Sequence, residues 1–416
     1  MARIRKSPFH YIIQFLLIIN ITLIVINVGV WFIAAHQGLF ITADFTSFYT
    51  GFKMVLNGDG SSLYDLNLQA SYQQELMGNI NFEGGLLPYV NPPIVAFVLA
   101  PMALLPINTA FFLWTIIDFG LLIWLVVLMN RLFIDWTTQE RLIMTITILA
   151  FWPLTHTFLL GQFSLLFLIC ILQMYNSMRS STPGKGGIWL ILLIIKPHNL
   201  LIPGASTLNK RFWRIAVTAV VTGIAMVIFS SVFLGISSWL QYIQVLPTMS
   251  NNFGKFGFIF NIQYTLRGLL TNIMGYKQAN TINVISIGVF VGSVVLVWLL
   301  WMQRVPLESR RLKLYFAFTI LLSAFLSLHA YPHDDLILVC PAVLFYDYLR
   351  ENSYPRKAYS IFLLISPLVF FIAAFNSFNL FGVFRPPVII ILVLVAWMIY
   401  YLILEHRVKQ SSVLPA

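Results

Sequence analysis

Apolar runs close to twenty residues long recur down the whole chain, and they constrain its fold more than any other feature. The first extends from Tyr11 to about Ile33. A run of that length crosses the hydrocarbon core of a bilayer as one helix. Inside lipid only helices and closed barrels satisfy every backbone group, and continuous runs of this length do not read as barrel strands. The chain therefore reads as an all-α polytopic membrane protein. Its composition agrees: 59% of the 416 residues are hydrophobic and only 9% are charged, against about a quarter charged in soluble domains. Cys170 and Cys340 both lie inside apolar runs, which marks them as core residues rather than a disulfide framework.

Twelve spans are predicted, at about 11–33, 107–130, 142–159, 162–178, 186–195, 199–208, 212–234, 281–302, 314–328, 336–349, 358–376 and 387–404. The first follows Arg3, Arg5 and Lys6 and is longer than a signal-peptide core, so it reads as a retained helix. The pair 186–195 and 199–208 is too short for two full crossings and reads as a broken pair. Of the 25 Lys and Arg residues, 19 fall on one side of this topology. The positive-inside rule makes that side cytoplasmic, with both termini on it. Orientation alone accounts for the formal net charge of +11, and no nucleic-acid partner is needed. The opposite, extracytoplasmic side holds two long loops, 34–106 and 235–280, within a single integral membrane domain over 1–416. "NPPIVAFVLAPMALLP" (91–106) is apolar but short and bounded by prolines, as a re-entrant or interfacial piece is.

Polar residues gather on the outer side in four clusters. "TADFTSFYTGFKMVLNGDGSSLYD" (42–65) follows the first span. Asp44 there is either a general base for a hydroxyl or a cap for the helix that follows, and spacing alone does not separate the two. Asp59 and Asp65 sit in turn chemistry, "NGDGSS". "IIKPHN" (194–199) puts Lys196 and His198 beside the helix-breaking Pro197. A lysine at such a place needs an anion or water, and its three donors suit a phosphate; the plain alternative is snorkelling. "LHAYPHDD" (328–335) carries His329 and His333. Their spacing is that of a metal pair on a helix, but Pro332 disfavours helical Tyr331, so imidazolium donors to a phosphate fit better. Asp334 and Asp335 suit the N-terminus of the next helix. "PLTHTFLLGQFSLL" (153–166) sets Gly161-Gln162 at an outer turn, where Gln162 either holds a hydroxyl or closes a tight hairpin; His156 below it reads as a packed residue. Asp118 lies mid-span and receives no role.

These segments, with "YVNPPIVAFVLAPMALLP", "FFLWTII" and "LIIKPHNLL", occur in an order that resembles the polytopic GT-C glycosyltransferases. Within them the chain is most similar to glycosyltransferase family 87 (DUF2029-like), the polyprenyl-phosphate-mannose-dependent alpha-mannosyltransferases. The family's Tyr-Pro-Pro turn stands here as Asn91-Pro92-Pro93, with Tyr89 two residues earlier. The resemblance implies a GT-C-type bundle in a bacterial inner membrane and a polyprenyl-phosphate sugar donor. It also implies a glycan or glycolipid acceptor, inverting transfer on the extracytoplasmic face, and no cofactor. It places the catalytic aspartate at Asp44. Lys196, His198, His329 and His333 are then expected to hold the donor phosphate, and Tyr49, Gln162 and Tyr64 the sugar or acceptor. The apolar bundle is expected to seat the polyprenyl tail. A flippase or transporter of lipid-linked sugars, or a polymerase of lipid-linked glycans, is the rival class. The first wants inverted repeats, which the sequence lacks. The second wants more arginines in the late outer loop, where 235–280 has only Lys255, Arg267 and Lys277.

Overall fold

A computed structural model describes residues 8–77, 86–180, 182–251, 260–302, 310–375 and 385–411. Most of the outer segment 377–386 falls outside these residues, as do the N-terminal cations Arg3, Arg5 and Lys6, Glu83, Lys255 and Ser309.

Every described element is helical. In chain order they are α1 (Pro8–His36), α2 (Asp44–Leu56), α3 (Leu66–Met77), α4 (Pro93–Leu99), α5 (Ile107–Leu132), α6 (Thr138–Ala150), α7 (Trp152–Leu160), α8 (Ser164–Arg179) and α9 (Gly186–Leu192). Then come α10 (His198–Ala205), α11 (Trp213–Leu234), α12 (Ile236–Asn251), α13 (Leu266–Met274), α14 (Ala279–Met302), α15 (Arg310–Phe325), α16 (Val339–Glu351), α17 (Lys357–Ala374) and α18 (Pro386–Ser411). Six are long and apolar enough to cross a membrane: α1, α5, α11, α14, α17 and α18. The pair α6–α7 makes a seventh if it is one span; it bends by 49° where Phe151 turns extended and Pro153 enters the first turn of α7. The other predicted spans coincide with shorter helices, so a polytopic membrane protein is what the architecture supports, with six or seven spans by length and composition.

The outer surfaces of these spans explain themselves only in lipid. Phe15 and Val25 on α1, Ile116 and Ile123 on α5, Val220 and Ile228 on α11 and Val284 on α14 are all exposed. Apolar surface on this scale is not tolerated in water, whereas it costs nothing against acyl chains. Buried asparagines tie α1 into the bundle. Asn20 Nδ2 donates to the Leu16 and Leu364 carbonyls at 2.8 Å each, and Asn27 Nδ2 to that of Ala150 at 3.2 Å. At the end predicted to be cytoplasmic, buried Lys313 bridges Asp347 and Glu351, and Arg311 pairs with Glu405 at 2.8 Å. Asp118 is buried in α5, and neither carboxyl oxygen has a partner among the described residues. Cys170 and Cys340 are free and buried.

The broken pair behaves as its sequence predicts. α9 and α10 are short, with a 3-10 turn over Leu193–Ile195 and an extended Lys196 between them. α9 lies so close to α11 that a Cβ on Gly187 would stand 2.3 Å from the Ile215 carbonyl oxygen. In the loop predicted to be the first outer one, α3 carries Gln69 and Gln73, one turn apart. Each pairs edge-on with the extended segment 86–91. Tyr89 N–H donates to Gln69 Oε1 at 2.8 Å, Leu87 N–H to Gln73 Oε1 at 3.1 Å, and Gln73 Nε2 to the Leu87 carbonyl at 2.6 Å. α4 and the 3-10 turn after it, Pro93–Leu104, form a short apolar piece that packs on α2 and α11.

Candidate active site

Four segments that are far apart in the chain, all predicted to lie on the extracytoplasmic side, wall one cavity of about 300 Å³. Asp44, Ser47 and Phe48 come from α2, and Leu87, Pro88, Val90 and Asn91 from the segment that pairs with α3. Lys196, Pro197 and His198 come from the break between α9 and α10, and His329, Tyr331 and His333 from the loop before α16, with Gln162 and Arg267 completing the wall. Of the eight residues expected from the sequence to form the site, six line it: Asp44, Gln162, Lys196, His198, His329 and His333.

Asp44 is the first residue of α2. Its neighbour Ala43 takes the cap position, and no side chain caps that helix. The Asp44 carboxylate instead accepts from Gln162 Nε2 at 2.5 Å. Gln162 is delivered by Gly161, which ends α7 in the left-handed region at φ 66°, a conformation glycine adopts without strain. A Cβ on Gly161 would meet Phe45 at 3.0 Å. Two adjacent contacts, Phe45 on Gly161 and Asp44 on Gln162, thus lock the start of α2 to the α7–α8 turn. Asp59 and Asp65 serve turns as expected: Asp59 accepts from Tyr72 at 2.6 Å, and Asp65 from the amides of Asn67 and Leu68.

Lys196 turns into the same cavity rather than snorkelling. Its ammonium donates to Asp334 Oδ1 at 2.6 Å and lies 3.0 Å from His333 Nε2. Burial raises the Asp334 carboxyl, but Lys196 and His333 overcome it and hold the group well below the usual carboxylate range. Asp335 next to it is pushed well above that range by burial and by the charge on Asp334. His333 Nε2 also lies 3.4 Å from Asp334 Oδ2, and its Nδ1 is a buried atom with no partner among the described residues. Arg267 is 2% exposed, donates to the Leu328 carbonyl at 2.8 Å and bonds Asn283; burial lowers it to about 10, still a cation at neutral pH.

Several expectations need correcting. His198 and His329 are not imidazolium donors: burial lowers His198 to about 4 and His329 well below its ordinary value. Both are neutral rings at working pH and can offer only a neutral N–H. As expected from Pro332, His329 and His333 do not share a helix: the chain turns at Pro332 and becomes helical again only at Asp334. Asp334 serves Lys196 more than the N-terminus of the following helix. Tyr49 and Tyr64 do not line the cavity. Both are buried, and their hydroxyls are spent on the carbonyls of Leu105 at 2.7 Å and Asn91 at 2.6 Å. Four polar lining residues were missed: Ser47, Asn91, Arg267 and Tyr331. Arg267 looks in sequence like any loop cation; the short amphipathic run "TLRGLL", which Thr265 caps by accepting from Gly268 N–H, was the available signal.

A second cavity, of about 310 Å³ and apolar, lies between α1, α5 and α7, with Trp31, Phe40, Phe111 and Trp152 in its wall. Ala43 lines it next to Asp44, and His156, also in its wall, has its ring 5.6 Å from that of His333.

No solved structure matches the chain. It is 28% identical over 225 residues to the polyprenol-phosphate-mannose-dependent alpha-(1-2)-phosphatidylinositol pentamannoside mannosyltransferase of Mycolicibacterium smegmatis, an alignment that covers 51% of each chain. The match therefore spans about half the length of that relative. The model of glycosyltransferase family 87 matches residues 89–328, which include Gln162, Lys196, His198 and Arg267 and begin after Asp44. With more than half its length matched, the chain belongs to glycosyltransferase family 87.

Proposed function

We propose that the protein is a membrane glycosyltransferase that moves a sugar, mannose in our reading, from a polyprenyl-phosphate donor to a hydroxyl of a glycan or glycolipid acceptor. It works on the extracytoplasmic face of a bacterial inner membrane, with both termini cytoplasmic. One observation carries the reading: one cavity brings together a carboxylate, Asp44, and the donors of Lys196, His333 and Arg267. The family and the named relative support the donor class.

Asp44 is the general base. It takes the proton of the attacking hydroxyl as that oxygen bonds to the anomeric carbon, and the bond from that carbon to the phosphate oxygen breaks. One displacement inverts the anomeric centre, and polyprenyl phosphate leaves with the bonding pair. Lys196, His333 and the neutral N–H groups of His198 and His329 meet the charge that grows on the leaving phosphate, in a site where fixed donors need no reorganisation. The apolar cavity beside Ala43 seats the first isoprene units of the donor.

The test is transfer from radiolabelled polyprenyl-phosphate mannose in membranes that contain the chain. Asp44→Asn keeps the shape of the side chain and serves a helix start as well as aspartate does. It removes the base, which should cost on the order of a hundred- to ten-thousand-fold in rate. An asparagine variant that keeps most of its transfer would return Asp44 to a structural role.

A further inference from the structure

Gln162 offers the two edges of one amide to two different tasks. Its Nε2 edge donates to the Asp44 carboxylate at 2.5 Å. Its Oε1 edge has no partner among the described residues, although the side chain is 3% exposed and lines the reaction cavity. A buried acceptor left open is costly, and one that borders a substrate cavity is matched to a donor the substrate brings. The backbone leaves this amide little freedom. Gly161 holds its left-handed turn against Phe45, and Gln162 N–H donates to the Thr157 carbonyl at 3.0 Å.

From this geometry we infer that Gln162 is the positioning residue of the transfer. Its Nε2 fixes one carboxylate oxygen of Asp44 and turns the other to the cavity. Its Oε1 accepts from a second hydroxyl of the acceptor sugar, next to the one attacked. A single rigid amide then sets base and nucleophile relative to each other. The ligand class is a sugar with neighbouring hydroxyls rather than a simple alcohol. The inference rests on the reading of Asp44 as base and deepens it.

Two variants test it, both with radiolabelled polyprenyl-phosphate mannose and membrane lipid extract as the acceptor source. Gln162→Ala frees the carboxylate, and transfer should fall roughly a hundredfold, the scale expected when a reacting group is misplaced by an ångström. Donor retention by the purified protein should stay within about twofold of wild type, because neither Asp44 nor Gln162 is among the phosphate donors. Gln162→Glu keeps the size of the side chain and settles the question if the alanine variant does not fold. Two carboxylates in hydrogen-bond contact share one proton. The acid limb of the pH–rate profile should therefore move to higher pH by about one unit or more. Lys196, His198, Arg267, His329, Tyr331 and His333, the other titratable groups facing the cavity, are the same in both proteins, so the displacement reports the Asp44–Gln162 contact. A Gln162→Glu profile that superposes on wild type, or a Gln162→Ala protein that loses donor retention as severely as transfer, overturns the positioning role. Either result beside an inactive Asp44→Asn leaves the base reading intact and removes only this inference; an Asp44→Asn that transfers normally removes both.

Discussion

The Lys196–Asp334 pair lends itself to a quantitative test, because its role in the fold and its role toward the donor can be separated. The ammonium sits 2.6 Å from a carboxylate that is only 1% exposed, and the lysine side chain is itself 13% exposed. Lys196→Met removes the cation and leaves Asp334 buried, with the Tyr331 amide at 3.0 Å and His333 as its remaining neighbours. Breaking a buried pair from one side costs roughly 3–5 kcal/mol. The single variant should therefore unfold at a clearly lower temperature in detergent, followed by intrinsic fluorescence. Replacing both partners is often close to neutral, so Lys196→Met with Asp334→Asn should recover most of that loss. Donor retention should not recover, because the ammonium that meets the phosphate is still missing. A double variant as unstable as the single one would show that the pair is not the source of the loss. A double variant that binds donor normally would remove Lys196 from the phosphate site. The sign with pH follows from the same pair. Asp334 titrates well below the usual carboxylate range. Its contribution is complete above the unfolded value of about 4 and is lost only as pH falls from there through the folded one. Mild acidification from neutrality to about pH 5 should leave this contribution untouched.

The topology can be read with reporter fusions: those after Asp44, Asn251 and Pro332 should signal outside, and those after Gly184, Ser309 and Lys409 inside. An inside signal at Asn251 would overturn the assignment of the second half. Tyr64→Phe removes the hydroxyl that serves the Asn91 carbonyl and should lower stability by about 1–3 kcal/mol while leaving the donor KM within about twofold. A large rise in KM with unchanged stability would instead give Tyr64 a direct contact with substrate.

Much of the fold was legible because lipid asks so little of a helix surface. A span such as α11 needs length and apolar side chains, and both are plain in the sequence. Elements whose placement depends on buried partners were harder. The run 142–159 reads as one span, yet the chain bends by 49° between α6 and α7; Pro153 was visible, but the size and direction of the bend follow from packing. The site was legible for a related reason. Polar residues at the ends of apolar runs are few, so Asp44, Gln162, Lys196, His198, His329 and His333 stood out. Their partners did not. The Lys196–Asp334 bond joins residues 138 positions apart, and nothing local distinguishes Asp334 from an ordinary helix-start acid. Tyr49 and Tyr64 lie in an aromatic outer loop that suits sugar stacking, and only the folded chain shows their hydroxyls turned to backbone carbonyls.

Charge at the cavity bears on how a phosphate would be held there and let go. Lys196 and Arg267 supply the two cations, and Asp44 and Asp334 oppose them. His198 and His329 add nothing, because burial keeps them neutral. Lys196 and Arg267 therefore each stand beside an opposing carboxylate or a fixed acceptor rather than forming a run of free cations. A site of this kind does not offer a dianion a surplus of free cations. What it has is direction: the ammonium of Lys196 is aimed by Asp334 and His333, and the guanidinium of Arg267 by Leu328 and Asn283. Donors already aimed before the bond breaks favour the transition state, where charge develops on the departing oxygen, over the bound ground state. A surplus of free cations would bind donor and product phosphate alike and slow release of the product. Asp334 thus does more than offset a buried lysine. On the reading proposed for the site, by holding Lys196 in one direction it would turn a general attraction for anions into an interaction that favours departure of the phosphate.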